Sequence, residues 1–93
     1  MSKNVRAHAI ITGKVQGVWF RVETQQAARS QGVTGWVRNK RDSSVEAVFE
    51  GDEIDIQATL NWCHKGPPHA RVDNVVVTWQ EYTGEYSDFD VTY

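Results

Sequence analysis

The sequence predicts an α+β fold, a β-α-β-β-α-β sandwich with an antiparallel sheet and two helices on one of its faces. Three observations lead there. Residues 5–12 and 45–50 alternate apolar and polar side chains, as half-buried strands do. Two stretches without glycine or proline, 22–31 and 53–64, separate strand-like segments and are each followed by a glycine, Gly32 and Gly66. Residues 71–80 are rich in valine, which favours a further strand.

The first strand, VRAHAIIT, places Val5, Ala7, Ala9 and Ile11 on one face. A loop containing Gly13 and Gly17 follows, and then the Ala- and Gln-rich helix over 22–31, with Gly32 as its C′ residue. Its apolar stripe is thin: Ala27 and Ala28 are the clearest core positions, and Gln31 stands where an apolar residue would pack better. Residues 35–41 and 45–50 form two strands joined by a tight turn at Asp42, Ser43 and Ser44. Ile56, Leu60 and Cys63 recur at helical spacing in the second helix, and Gly66-Pro67-Pro68 stops it. The tail alternates Phe89, Val91 and Tyr93 and suits a last strand or a strand extension. Two split βαβ units of this size, with right-handed crossovers, make a ferredoxin-like sandwich. That architecture hosts many unrelated activities, so function has to come from a site.

Ninety-three residues suit a single domain, 1–93. Cys63 stands alone, so it reads as a small buried apolar residue, with no disulfide or multi-cysteine metal site to join. His8, His64 and His69 lack metal-ligand spacing, and no metal or cofactor is expected. The N-terminus does not read as a signal peptide, and no run approaches the roughly 20 apolar residues of a membrane span; a cytoplasmic monomer is expected. The net charge of −2 hides a split. Residues 1–41 carry eight Lys/Arg against one acid, and residues 42–93 two against eleven. An acidic chain without the aromatic RNA-binding signature argues against nucleic acid as a partner. A small anion in one pocket is compatible with the basic half.

The segment Gly13-Lys-Val-Gln-Gly-Val-Trp-Phe-Arg21 suggests where that anion binds. Glycine reaches φ > 0 without a Cβ clash, so successive backbone N–H groups can converge on one oxyanion. A helix starting just after Arg21 adds its free N–H groups and positive dipole end. Arg21 supplies a planar, permanently charged fork that matches phosphate oxygens. The segment is neither a Walker loop nor G-x-G-x-x-G. By spacing alone, a plain strand-to-helix turn with Arg21 in a surface ion pair accounts for it equally well.

The two segments G-x-V-Q-G-V-x-F-R at 13–21 and G-W-V-R-N-K-R-D-S-S-V-E at 35–46 resemble the paired signature of the acylphosphatase family. The likeness continues through Trp62, the G-P-P-x-A-R-V segment at 66–72 and the F-x-V-x-Y ending, and covers essentially the whole chain. One position departs from it: Ser43 stands where the family's second motif carries glycine, implying a changed turn or a strain of about 1 kcal/mol.

The resemblance implies hydrolysis of the carboxyl-phosphate bond of acyl phosphates, without a metal. Arg21 matches the phosphate-binding arginine and Asn39 the water-positioning asparagine. Val15, Gln16, Gly17, Val18, Trp19 and Phe20 would supply the cradle of amides, which phosphate or sulfate could also occupy. Asn39 shares a strand face with Val37; if that face carries the helices, Asn39 reaches the loop. Trp19 either contacts the acyl part of the substrate or anchors the loop. Trp36, Trp62, Trp79 and the C-terminal tyrosines read as core, and Glu50, Asp52, Glu53 and Asp55 as a solvated helix start. The competing reading is a non-catalytic ferredoxin-like module that binds or senses a small anion.

Overall fold

The computed structural model of the chain describes residues 3–93. In chain order it contains β1 (Asn4–Lys14), α1 (Phe20–Ser30), β2 (Thr34–Asn39), β3 (Val45–Asp52), α2 (Glu53–Lys65), β4 (Arg71–Gln80) and β5 (Phe89–Val91). The strands form one sheet in the order β4-β1-β3-β2-β5. The three contacts among β1 to β4 are antiparallel, as expected, but β5 pairs with β2 in parallel and makes the sheet mixed.

The physical reason lies in the route of the chain. β4 and β5 occupy opposite edges of the sheet, so residues 81–88 must cross from one edge to the other. They do so over the face away from the helices, where the Trp36 indole donates to the Tyr86 hydroxyl at 3.2 Å.

Both helices pack on the other face. Ala7, Ala9 and Ile11 of β1, Val37 of β2, and Val45, Ala47 and Phe49 of β3 are fully buried there. They pack with Phe20 and Ala28 of α1 and with Ile56, Leu60 and Cys63 of α2. Phe89 of β5 stacks on Phe49 with ring centroids 5.4 Å apart. Of the two alanines expected in the core of α1, only Ala28 is fully buried; Ala27 is partly covered. Thr24 takes the other inner position, its hydroxyl donating to the Phe20 carbonyl at 2.7 Å.

The helix ends follow local chemistry. Gly32, at φ 70°, is the C′ residue of α1. The amide of Val33 donates to the Ala28 carbonyl and that of Gly32 to the Arg29 carbonyl, satisfying carbonyls the last turn would leave free. Gln31 is the C-cap and exposed, so a polar side chain fits there. At the start of α2, the Asp52 carboxylate caps the helix by accepting from the Ile54 amide at 2.9 Å.

Glu50 departs from the expected solvated acidic run. Its side chain is fully buried on the outer face. It accepts from the Thr83 amide and hydroxyl, the Gly84 amide, and the Arg6 guanidinium. Burial opposes its ionisation, but the Thr83 donors, Arg6 and the Gly84 amide outweigh that and hold the carboxyl below the usual Glu value. Glu50 thus pins the crossing segment whose far end becomes β5.

Candidate active site

The loop between β1 and α1 starts from a bulge. The register of β1 against β4 shifts between Thr12 and Gly13, and a Cβ on Gly13 would collide with the Arg71 carbonyl. Close backbone approach therefore requires glycine there. Gly17 (φ 74°) and Trp19 (φ 66°) are both left-handed, so the loop curls tightly before the helix. Among the described residues, no protein acceptor takes the backbone N–H groups of Gln16 to Arg21. Trp19 is the N-cap residue of α1 and makes no side-chain capping bond, which leaves the first-turn donors open. The helix begins at Phe20, two residues earlier than the sequence periodicity indicates, so Arg21 lies inside its first turn.

Arg21 forms no ion pair with a carboxylate among the described residues, which removes the surface-ion-pair reading. One guanidinium nitrogen donates to the Thr92 carbonyl at 3.4 Å, a long contact, and the group lies 5.0 Å from the centroid of the Tyr93 ring. β5 and the residues after it thus hold Arg21 from the side: Thr92 N–H donates to the Val37 carbonyl at 2.8 Å. Gln25 of α1 donates to the Phe89 carbonyl at 2.9 Å, and Arg29 makes a two-pronged bond to Asp88.

Asn39 ends β2, opposite Val45 of β3. The face it shares with Val37 is the helix-bearing one. Its Oδ1 is buried and has no hydrogen-bond partner among the described residues. A buried carbonyl oxygen without a donor is costly and unusual, and is best explained where a ligand or water supplies the donor. The turn after it is tightly built. Lys40 N–H donates to the Ser44 carbonyl at 2.8 Å, and the Asp42 carboxylate accepts from the Ser44 amide and hydroxyl. Ser43 has φ 76°, so its turn keeps the left-handed shape at the expense of strain.

The Gln16 side chain joins the two halves. Its amide nitrogen donates to the Lys40 carbonyl at 2.7 Å and to the Ser44 carbonyl at 2.9 Å. The loop and the Asn39 turn are therefore held in register by one side chain.

Val15, Gly17, Trp19, Phe20, Arg21 and Asn39 line a single cavity of about 300 Å³ with Val22, Val91 and Tyr93. The side chains of Gln16 and Val18 point elsewhere: Gln16 to the turn, Val18 into the core cluster. Tyr93 is 96% exposed, so it belongs to the cavity mouth and not to the core. The alternation of Phe89, Val91 and Tyr93 carried that signal, since it continues the inward face of β5 past the end of the strand. Trp62 packs against the core as expected, whereas Trp36 is only partly buried, on the outer face against Tyr86, and Trp79 and Tyr82 are exposed.

Other reactive groups lie outside the cavity. Cys63 is buried and its thiol is pushed up to about 12 by desolvation, so it is not a nucleophile at neutral pH. His8 bonds Glu46 at 2.7 Å, and no cluster of His, Cys, Asp and Glu among the described residues could hold a metal ion. No helix among them is long and apolar enough to cross a membrane.

The family model described as acylphosphatase matches residues 7–91. An acylphosphatase of Pelotomaculum thermopropionicum is 53% identical over 95% of this chain and 96% of its own. The acylphosphatase of Bacillus subtilis superposes with a TM-score of 0.92 at 31% identity, covering 96% of this chain and 99% of that one. An acylphosphatase structure from Coxiella burnetii gives 0.91 at 37% identity, covering 96% and 93%.

Proposed function

The chain belongs to the acylphosphatase family, hydrolases that act on acyl phosphates, and from that premise we propose that the β1–α1 loop and Arg21 bind the phosphoryl group while Asn39 orients the attacking water. The observation that carries this reading is the buried, unpartnered Oδ1 of Asn39 in the same cavity as Arg21 and the loop.

In this mechanism the converging N–H groups and Arg21 neutralise the equatorial phosphoryl oxygens, where charge concentrates in the transition state. Asn39 Oδ1 accepts one hydrogen of the water and turns a lone pair towards phosphorus. The new P–O bond forms as the carboxyl-oxygen–phosphorus bond breaks, and that bond's electron pair leaves with the carboxylate. A carboxylate has a conjugate-acid pKa near 4, so it departs without help from a general acid. The loose transition state demands little from the nucleophile, so positioning supplies most of the acceleration.

No Asp, Glu, His or Cys side chain lines the cavity. The water's second proton passes in this reading to a phosphoryl oxygen of the substrate, and the lining side chains offer none of the carboxylates a divalent metal would take.

The test is the initial rate of benzoyl phosphate hydrolysis in EDTA, with a phosphate monoester as control. The acyl phosphate turns over and the monoester does not. Absence of turnover by folded protein overturns the reading, as does activity that EDTA abolishes. Arg21→Ala loses both turnover and phosphate binding, while Asn39→Ala keeps phosphate binding and loses about 10²–10³ in kcat. Equal loss of phosphate binding in both variants contradicts the division of roles.

A further inference from the structure

We propose that Trp19 and Tyr93 form an aromatic clamp for the acyl group and make this enzyme prefer flat, apolar acyl phosphates to small ones. The inference rests on the phosphoryl assignment above and concerns the other end of the same substrate.

Trp19 is a large aromatic residue in the left-handed region, which non-glycine side chains enter only with strain. Yet it stands largely in solvent, 72% exposed. A ring that neither fills the core nor caps the helix, held in a strained conformation at a cavity mouth, is placed for a contact that the empty fold does not make. Tyr93 completes the arrangement. Its ring lies over Arg21, so one face follows the guanidinium while the rest stands in solvent beside the same cavity.

Val15, Val22 and Val91 line the same cavity, and Val22 is itself 40% exposed. Beside Arg21 and Asn39 the cavity thus carries aliphatic and aromatic lining that a phosphoryl group does not use. Its volume of about 300 Å³ far exceeds a bare phosphate, which displaces only a few waters of about 30 Å³ each. An aryl ring attached to the phosphoryl group by a carboxyl bridge fits the remainder and covers aromatic surface now facing water.

The measurement compares kcat/KM for benzoyl phosphate and acetyl phosphate in the wild-type protein, Trp19→Phe and Trp19→Ala. Dividing each variant's ratio by the wild-type ratio cancels the intrinsic reactivities of the two substrates. Trp19→Ala lowers the benzoyl-to-acetyl ratio roughly three- to tenfold, an effect of the size of one aromatic contact. Trp19→Phe keeps most of the preference. An unchanged ratio in Trp19→Ala overturns the clamp and leaves acyl phosphate hydrolysis standing, whereas no turnover of either substrate by the wild-type protein overturns the underlying function.

Inhibition of the wild-type enzyme by benzylphosphonate and methylphosphonate gives a reading that requires no variant to fold. Tighter inhibition by the aryl compound supports the clamp, and equal or weaker inhibition overturns it.

Discussion

At the scale of single residues, two positions among the described residues sit in left-handed backbone without being glycine, and they differ in what they gain. Trp19 faces a cavity that a ligand can enter. Ser43 is exposed, and its side chain makes no hydrogen bond among the described residues. Replacing it with glycine relieves the strain at some entropic cost in the unfolded chain, a net gain of up to about 1 kcal/mol. Ser43→Gly is expected to raise Tm by a few degrees, on the scale of about 4–8 °C per kcal/mol for a domain of this size, with kcat unaltered because Asn39 is still held by the Lys40–Ser44 bond. Thermal melting with parallel kinetics checks this, and a lower Tm shows the serine to be a stabilising member of the turn. Gln16 is the corresponding test of alignment. Gln16→Ala removes the side-chain donor to the Lys40 and Ser44 carbonyls, each of which keeps a backbone N–H within the turn. It is expected to reduce kcat more than it weakens phosphate binding, because it frees the Asn39 turn from the loop while leaving the cradle's own N–H groups in place. Phosphate binding by calorimetry, set against kcat, distinguishes this from general loosening of the loop.

At the scale of elements, the parts legible in the sequence were those whose partners lie close in the chain or on a periodic face. Alternation in β1 and β3 and the glycines after α1 and α2 are local signals, and the element order follows from them. The first turn of α1 was invisible because it depends on Trp19 bending the chain, which no apolar period records. That the loop, Arg21 and Asn39 meet at one cavity was legible through the two motifs, but their bridging by the Gln16 side chain was not. Glu50 was misread for a related reason. It looks like one more acid before a helix, and its donors come from Thr83 and Gly84, in a segment without periodicity. Its removal should be felt at the distant site, because the segment it pins leads into β5, Thr92 and Tyr93. Glu50→Ala leaves the Thr83 and Gly84 donors without their acceptor, while Arg6 keeps its bonds to Glu85 and Gln80, and is expected to cost on the order of 1–3 kcal/mol. The pH dependence has a definite sign. Glu50 and Glu46 are held below the usual Glu value of 4.5; for Glu46, burial opposes this and the bonds from His8 and Arg38 outweigh it. Their contribution is complete above the unfolded-state value and disappears as pH falls through the lower folded-state values. Melting temperature should therefore stay level down to about pH 5 and fall below about pH 4. In Glu50→Gln, Tm should start lower and fall less steeply; an equally steep fall assigns the acid sensitivity to other carboxylates.

At the scale of the whole molecule, the split between a basic first half and an acidic second half becomes a spatial pattern only through the topology. β2 of the basic half lies between β3 and β5 of the acidic half, and α1 packs beside β5, so charges of the two halves neutralise one another. Arg38 pairs with Glu46, and Arg29 with Asp88. Lys40 and Arg41 are different: among the described residues neither forms an ion pair, and both flank Asn39 and Tyr93 at the rim of the site. An enzyme with net charge −2 that must collect an anionic substrate gains from such a local positive rim. The field acts on the approach of the substrate and not on chemistry inside the cradle. Raising ionic strength from about 0.02 to 0.5 M shortens the Debye length to a few ångströms. It should lower kcat/KM for an acyl phosphate roughly three- to tenfold while kcat changes little. In the double variant Lys40→Gln/Arg41→Gln, kcat/KM should be lower at low salt and nearly flat against salt, converging with the wild type at 0.5 M. Parallel salt slopes in the two proteins would locate the attraction in Arg21 and the loop alone, and the basic turn would then be only a solvated surface.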